Sequence, residues 1–215
     1  MNEKTKRICT IGMLCAVAYL IVAVIRIPVI YFLKYEPKDV VITIGGLIYG
    51  PAASMIISII VSLIEMFTIS ETGIWGLIMN ILSTCAFSCT AAWMYKRRRT
   101  MRGAIAGLVV GCVVMVAVML LWNYLITPIY MGYPREAVAA MLLPAFLPFN
   151  LFKGGLNAAL TLMVYKPVVV ALRKASLLPA SASAKTERKT LGMLPVALVI
   201  LATSVLTLLV MKGII

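Results

Sequence analysis

The chain has 215 residues, 63% hydrophobic and only 13% charged, yet its formal net charge is +13. Soluble domains are roughly 45–50% apolar, so the composition excludes a water-soluble globule and points to an integral membrane protein. The basic residues fall between long apolar runs, which makes them topology signals and no footprint for nucleic acid.

A helix crosses the hydrocarbon in about 20 residues. The first fitting run, 8–25, follows Lys4, Lys6 and Arg7. Its basic start is signal-like, but Arg26 and Pro28 follow and no small-x-small cleavage site stands out, so it reads as a retained helix. Next comes the longest outer connection, RIPVIYFLKYEPKD (26–39), with Tyr31, Phe32 and Tyr35. It reads either as a lid or as an interfacial aromatic belt. Residues 40–50 are short and glycine-rich; they span only as a short helix whose end is shielded by neighbouring protein. Gly50-Pro51 marks a tight turn into the next run.

Apolar runs 52–69, 74–95, 103–127 and 137–165 follow, then a Ser-, Ala- and charge-rich stretch and a last apolar run, 193–212. The expected organisation is all-α: a six-helix membrane domain over 1–174, a flexible cytoplasmic linker over 175–192 and one extra transmembrane helix over 193–215. With seven spans, the basic clusters at 4–7, 96–102 and 166–189 share one side. The positive-inside rule makes that side cytoplasmic, with the N-terminus inside and the C-terminus outside. Without the short span the clusters would fall on opposite sides.

Charged side chains at membrane depth cost roughly 2.5–3.5 kcal/mol on insertion scales, so Lys153 demands an explanation. At 1.5 Å per residue it lies about 20 Å above the cytoplasmic end of its span, with Asn150 one turn further out on the same face. Asn123, Glu65 and Asn80 fall in the same outer half of three other spans. Five polar groups on four helices thus share one depth. The structural alternative is a Lys153–Glu65 pair with the asparagines as interhelical bonds, each worth only about 0.6 kcal/mol in a membrane. A pocket is the reading favoured by the setting. Pro144 and Pro148 bend the sixth span, Gly154-Gly155 permits close approach, and Phe149, Phe152, Trp122, Tyr124 and Met79 suit a planar, mostly apolar ligand.

Other chemistries lack their parts. There is no G-x-x-x-x-G-K-[ST] phosphate loop and no histidine, and seven scattered acids make paired-carboxylate hydrolysis hard to build. The five cysteines lie in apolar runs without a C-x-x-C pair, so they read as packing residues, with no metal and no cofactor expected. Ligand capture or transport without a motor of its own is what remains. A self-sufficient carrier would need an ion relay, for which Glu65 is the one buried acid on offer, and a ligand-free scaffold is the remaining class.

The stretches FLKYEPKDVVITIGGLIYGP (32–51), LLWNYLITPIYMG (120–132) and LLPAFLPFNLFKGGLNAAL (142–160) resemble the riboflavin-specific substrate-binding, or S, components of energy-coupling factor (ECF) vitamin transporters. The resemblance covers about residues 8–174, and its N-x-x-K element argues against a different vitamin. It implies a six-helix S component that binds riboflavin near the outer face and works with a membrane T component and two ATP-binding subunits. By matching position, Asn123, Asn150 and Lys153 would hold the polar edge of the isoalloxazine ring. Leu33, Tyr35 and Thr43 would line the pocket. Met79, Asn80 and Glu65 complete the candidate set, Glu65 either holding Lys153 or meeting the ribityl chain. The resemblance also implies a T-component contact on the first helix, where Gly12 and Ala16 stand four apart. The seventh span departs from the six-helix pattern.

Overall fold

Backbone amides and carbonyls find no water in hydrocarbon, so spanning segments satisfy them within helices. The computed structural model describes residues 2–30, 33–178 and 194–211. In chain order it contains α1 (Glu3–Val24), the strands β1 (Ile27–Ile30) and β2 (Leu33–Tyr35), then α2 (Lys38–Tyr49), α3 (Pro51–Thr68), α4 (Gly73–Arg98) and α5 (Met101–Leu125). The short α6 (Thr127–Met131) and α7 (Arg135–Met141) lead through a π turn, Leu142–Phe146, into α8 (Leu147–Lys174), and α9 is Leu194–Met211. Among the described residues five helical segments are long and apolar enough to cross a membrane: α1, α3, α4, α5 and the run 135–174.

The short second span exists, as α2, with 12 residues. At about 18 Å it falls short of the roughly 30 Å hydrocarbon thickness. Surrounding helices shield it, and nine of its residues are buried. It begins at Lys38, so Lys38 and Asp39, expected in the outer connection, belong to its first turn and are fully buried. Proline at 37 and an acid in the first turn are a helix start, and the sequence carries both. Gly50 makes the expected turn with φ 96°, a conformation closed to most side chains, and Pro51 opens α3.

The outer connection is no open loop. Ile27 pairs with Tyr35 and Pro28 with Lys34 in an antiparallel hairpin. Its apolar face (Val29, Leu33, Tyr35) packs on Val138, Phe146, Phe149 and Phe152 of α7–α8. Tyr31 and Phe32 lie outside the described residues.

The expected span 137–165 is longer and broken. Pro144 and Pro148 each lack an amide hydrogen, which removes two rungs of an α-ladder four residues apart. The chain responds with a π turn, in which the Leu147 amide donates to Leu142 O. Elsewhere glycine sets how close helices come. A Cβ on Gly111 of α5 would stand 2.6 Å from Phe87 O of α4, and one on Gly107 2.8 Å from Ala91 O. This G-x-x-x-G pair seats α5 directly on the α4 backbone.

The described parts of the basic clusters, 4–7, 96–102 and 166–174, gather at one end. Arg7 lies 5.7 Å from the Tyr49 ring, and Tyr95 meets Tyr165 at 6.4 Å, beyond which α8 continues to Arg173 and Lys174. The hairpin closes the opposite end. Of the expected linker, residues 179–192 lie outside the described part. The last apolar run is helical from Leu194, and α9 packs on α8 and reaches β1. Ala197 shares a buried cluster with Ala158 and Leu162, so α9 is part of the core.

Candidate functional site

Beneath the hairpin an open-mouthed cavity lies between α3, α4, α5 and α8. Asn123, Asn150 and Lys153 line it together with Met79, Asn80 and Glu65. Leu33 and Phe149 supply apolar wall. These separate segments meet because α5 lies against α4 through its glycines, and the π turn sits one turn before Asn150.

Both asparagines are held by residues four positions away along the chain. Asn123 Nδ2 donates to Met119 O at 2.7 Å and its Oδ1 accepts from Thr127 Oγ1 at 3.0 Å. Asn150 Nδ2 donates to Phe146 O at 2.7 Å. They are therefore not the interhelical glue of the structural alternative. A carboxamide has two N–H donors and a carbonyl with two lone pairs. Each asparagine keeps one N–H and acceptor capacity for a ligand, and both are 2% exposed.

Lys153 does not pair with Glu65. Its Nζ lies 3.1 Å from Asp39 Oδ2 and donates to Ser83 Oγ at 3.3 Å, leaving a third N–H. Asp39 is the functional neighbour that sequence reasoning missed. It also accepts from Thr84 Oγ1 at 2.7 Å and from Asn157 Nδ2 at 3.3 Å. The available signal was the charge balance itself, since a buried ammonium requires a buried acid.

Glu65 instead anchors a second ionic group at the cavity mouth. It accepts from Lys38 and, at 3.1 Å, from Arg26 Nη2. Lys38 also meets Glu36 at 2.7 Å, and Arg26 Nη1 reaches Ile69 O at 2.8 Å. Lys34 of the hairpin donates to Glu71 at 2.7 Å, and this ammonium holds the exposed carboxyl below its usual range.

The remaining expected positions lie behind the wall. Tyr35 is 1% exposed; its hydroxyl donates to Asn157 Oδ1 at 2.9 Å and its ring meets Phe152 edge-on. It closes no entrance and belongs to no aromatic belt. Thr43 Oγ1 donates to Asp39 O at 2.6 Å and bonds Ser88, one layer below the cavity. Both support Asp39 and α8 and do not line the space, and Trp122 and Tyr124 also lie off the lining. Gly154 and Gly155 face helices: a Cβ on Gly154 would meet Cys112 of α5, and one on Gly155 would come 2.6 Å from Ser204 Oγ of α9. Gly12 and Ala16 are exposed on α1, and among the described residues nothing stands within 4 Å of a Cβ built on Gly12.

A helical membrane protein with an open polar cavity at one end has the layout of a small-molecule binder. The profile of the ECF transporter substrate-specific component matches residues 6–165, and the chain belongs to that family, a transporter component and no enzyme. It is 26% identical to the riboflavin transporter RibU of Staphylococcus aureus over 182 residues, 80% of this chain and 95% of the relative. It is 26% identical over 163 residues to the riboflavin transporter FmnP of Bacillus subtilis, 70% of this chain and 85% of that one. A solved structure, described as the S component of a bacterial ECF transporter, matches with a TM-score of 0.67 at 27% identity. That match covers 79% of this chain and 99% of the other.

Proposed function

We propose that this protein is the riboflavin-binding S component of an ECF-type transporter, taking up the vitamin together with a membrane T component and two ATP-binding subunits. The observation that carries the reading is the convergence of Asn123, Asn150 and Lys153 on one cavity, with each asparagine preset by a carbonyl four positions earlier in the chain. Riboflavin is neutral and flat, with ring carbonyls that accept and an imide that donates. The free N–H of each asparagine and the third N–H of Lys153 suit the carbonyls, and an asparagine oxygen suits the imide. Met79 and Phe149 suit the ring faces, Leu33 and Asn80 its periphery. Tyr35 and Thr43 act from behind, by holding α8 and Asp39.

In this reading the basic end of the bundle is cytoplasmic and the hairpin end extracellular, as the positive-inside rule requires. The C-terminus then follows α9 outward. The exposed Gly12–Ala16 face of α1 has room for a closely approaching helix of the T component. The test is a fluorescence-quenching titration of the purified protein with riboflavin. Tight, saturable binding is expected, and Asn150→Ala weakens it about tenfold, the loss of one or two ligand hydrogen bonds. Absence of saturable quenching in the parent protein would refute the reading.

A further inference from the structure

The cavity has two chemically different ends. One holds Asn123, Asn150 and Lys153 among Met79, Met119 and Phe149. The other, formed by the hairpin and the α3–α4 connection, is rich in charge, with Leu33, Ser70 and Thr72 between the ionic groups. Three carboxylates, Glu36, Glu65 and Glu71, line it with two cations, Arg26 and Lys34, and a third cation, Lys38, is buried behind them. Each cation is already committed: Arg26 to Glu36 at 3.5 Å and Glu65 at 3.1 Å, Lys38 to Glu36 and Glu65, and Lys34 to Glu71 at 2.7 Å. With the flavin ring at the asparagine end, as proposed above, its polyol tail extends toward this ionic end.

Neutral hydroxyls and a phosphomonoester meet that end very differently. A hydroxyl can donate to a carboxylate lone pair and accept from a cation without displacing either partner. A phosphate carries about −1.5 to −2 charges at neutral pH. It would have to draw Lys34 or Arg26 away from a carboxylate and then face the carboxylate it left behind. The Lys34–Glu71 pair is the sensitive element because it sits at the rim, with Glu71 73% exposed at its side chain. Its release depends on one exposed residue and disturbs no buried charge.

We infer that Glu71, by holding Lys34 at the cavity mouth, is a specificity-determining residue that favours a flavin with an uncharged polyol tail over one ending in a phosphate. The inference rests on the flavin reading of the cavity. It predicts which single exposed substitution loosens the selectivity: Glu71→Gln keeps the size of the side chain, removes the charge and frees Lys34 for an anion. Lys34→Ala does the reverse by leaving an unpaired carboxylate at the rim.

The experiment measures dissociation constants for riboflavin and for riboflavin 5′-phosphate in the parent protein, Glu71→Gln and Lys34→Ala. The readout is the ratio of the two constants, which cancels any general loss of affinity. The parent is expected to prefer riboflavin about tenfold or more, the size of one charge contact at about 4 Å that water largely screens. Glu71→Gln narrows the ratio, Lys34→Ala widens it, and raising the salt narrows it in the parent because the contacts are screened. Tight riboflavin binding with a ratio near one, or a ratio that Glu71→Gln leaves unmoved, overturns this inference alone. Failure of the parent to bind either flavin overturns both it and the reading beneath it.

Discussion

Asp39 and Lys153 form the ionic contact on which the inner part of the site depends. Both are almost wholly buried, and each has hydrogen-bonding neighbours besides the other. Removing one partner of a buried pair leaves an uncompensated charge, at about 3–5 kcal/mol. Removing both leaves none. Asp39→Ala should therefore lower the thermal unfolding midpoint in detergent far more than the double variant Asp39→Ala/Lys153→Ala does. Equal midpoints would mean that the two side chains are not coupled. Lys153, Asn150 and Asn123 were legible in sequence as polar residues out of place in apolar helices. Their partners were not legible, because depth along a helix says nothing about which neighbour a side chain turns toward. Glu65 and Lys153 share a depth, yet Glu65 faces Arg26 and Lys38 across the mouth.

Among the elements, the long spans could be read from hydropathy, since a run of about 20 apolar residues has few alternatives. The hairpin was hidden by its brevity, with strands of 4 and 3 residues broken by a register shift. Its pairing is fixed by tertiary contact with α7–α8, which no local pattern announces. The prolines of the sixth span predicted a bend, and the structure has a π turn that contains the first of them. For α9 the apolar run was visible but its place in the bundle was not. Gly155 is the residue that admits it. Gly155→Ala would set a methyl 2.6 Å from Ser204 Oγ, while Ser204 Cβ stands 3.9 Å away. Overpacking of this kind costs about 1–3 kcal/mol. The midpoint of Gly155→Ala should fall, and adding Ser204→Ala should restore it. The double variant should even exceed the parent, by up to about 1 kcal/mol, because alanine favours the helix over glycine. A midpoint that Ser204→Ala fails to recover would place α9 elsewhere.

At the scale of the whole molecule the charges divide the bundle into two ends. The described basic residues at 4–7, 96–102 and 166–174 occupy one, and the ionic mouth and polar cavity occupy the other. The cavity is closed off below by the layer of Asp39, Thr43, Thr84 and Ser88. In the proposed reading the driving force for release on the other side comes from separate ATP-binding subunits. Proteoliposomes holding this chain alone should bind riboflavin without accumulating it under an imposed proton gradient. Accumulation should appear only when a T component and ATP-binding subunits are supplied with ATP. Gradient-driven uptake by the chain alone would assign it to the self-sufficient carriers.

The account stands or falls on where the flavin ring lies. An experimental structure of the protein with riboflavin should place the polar ring edge within about 3 Å of side-chain atoms of Asn123, Asn150 and Lys153, and the polyol tail toward Glu71. A ring bound elsewhere, with those three side chains unchanged and out of reach, would contradict it.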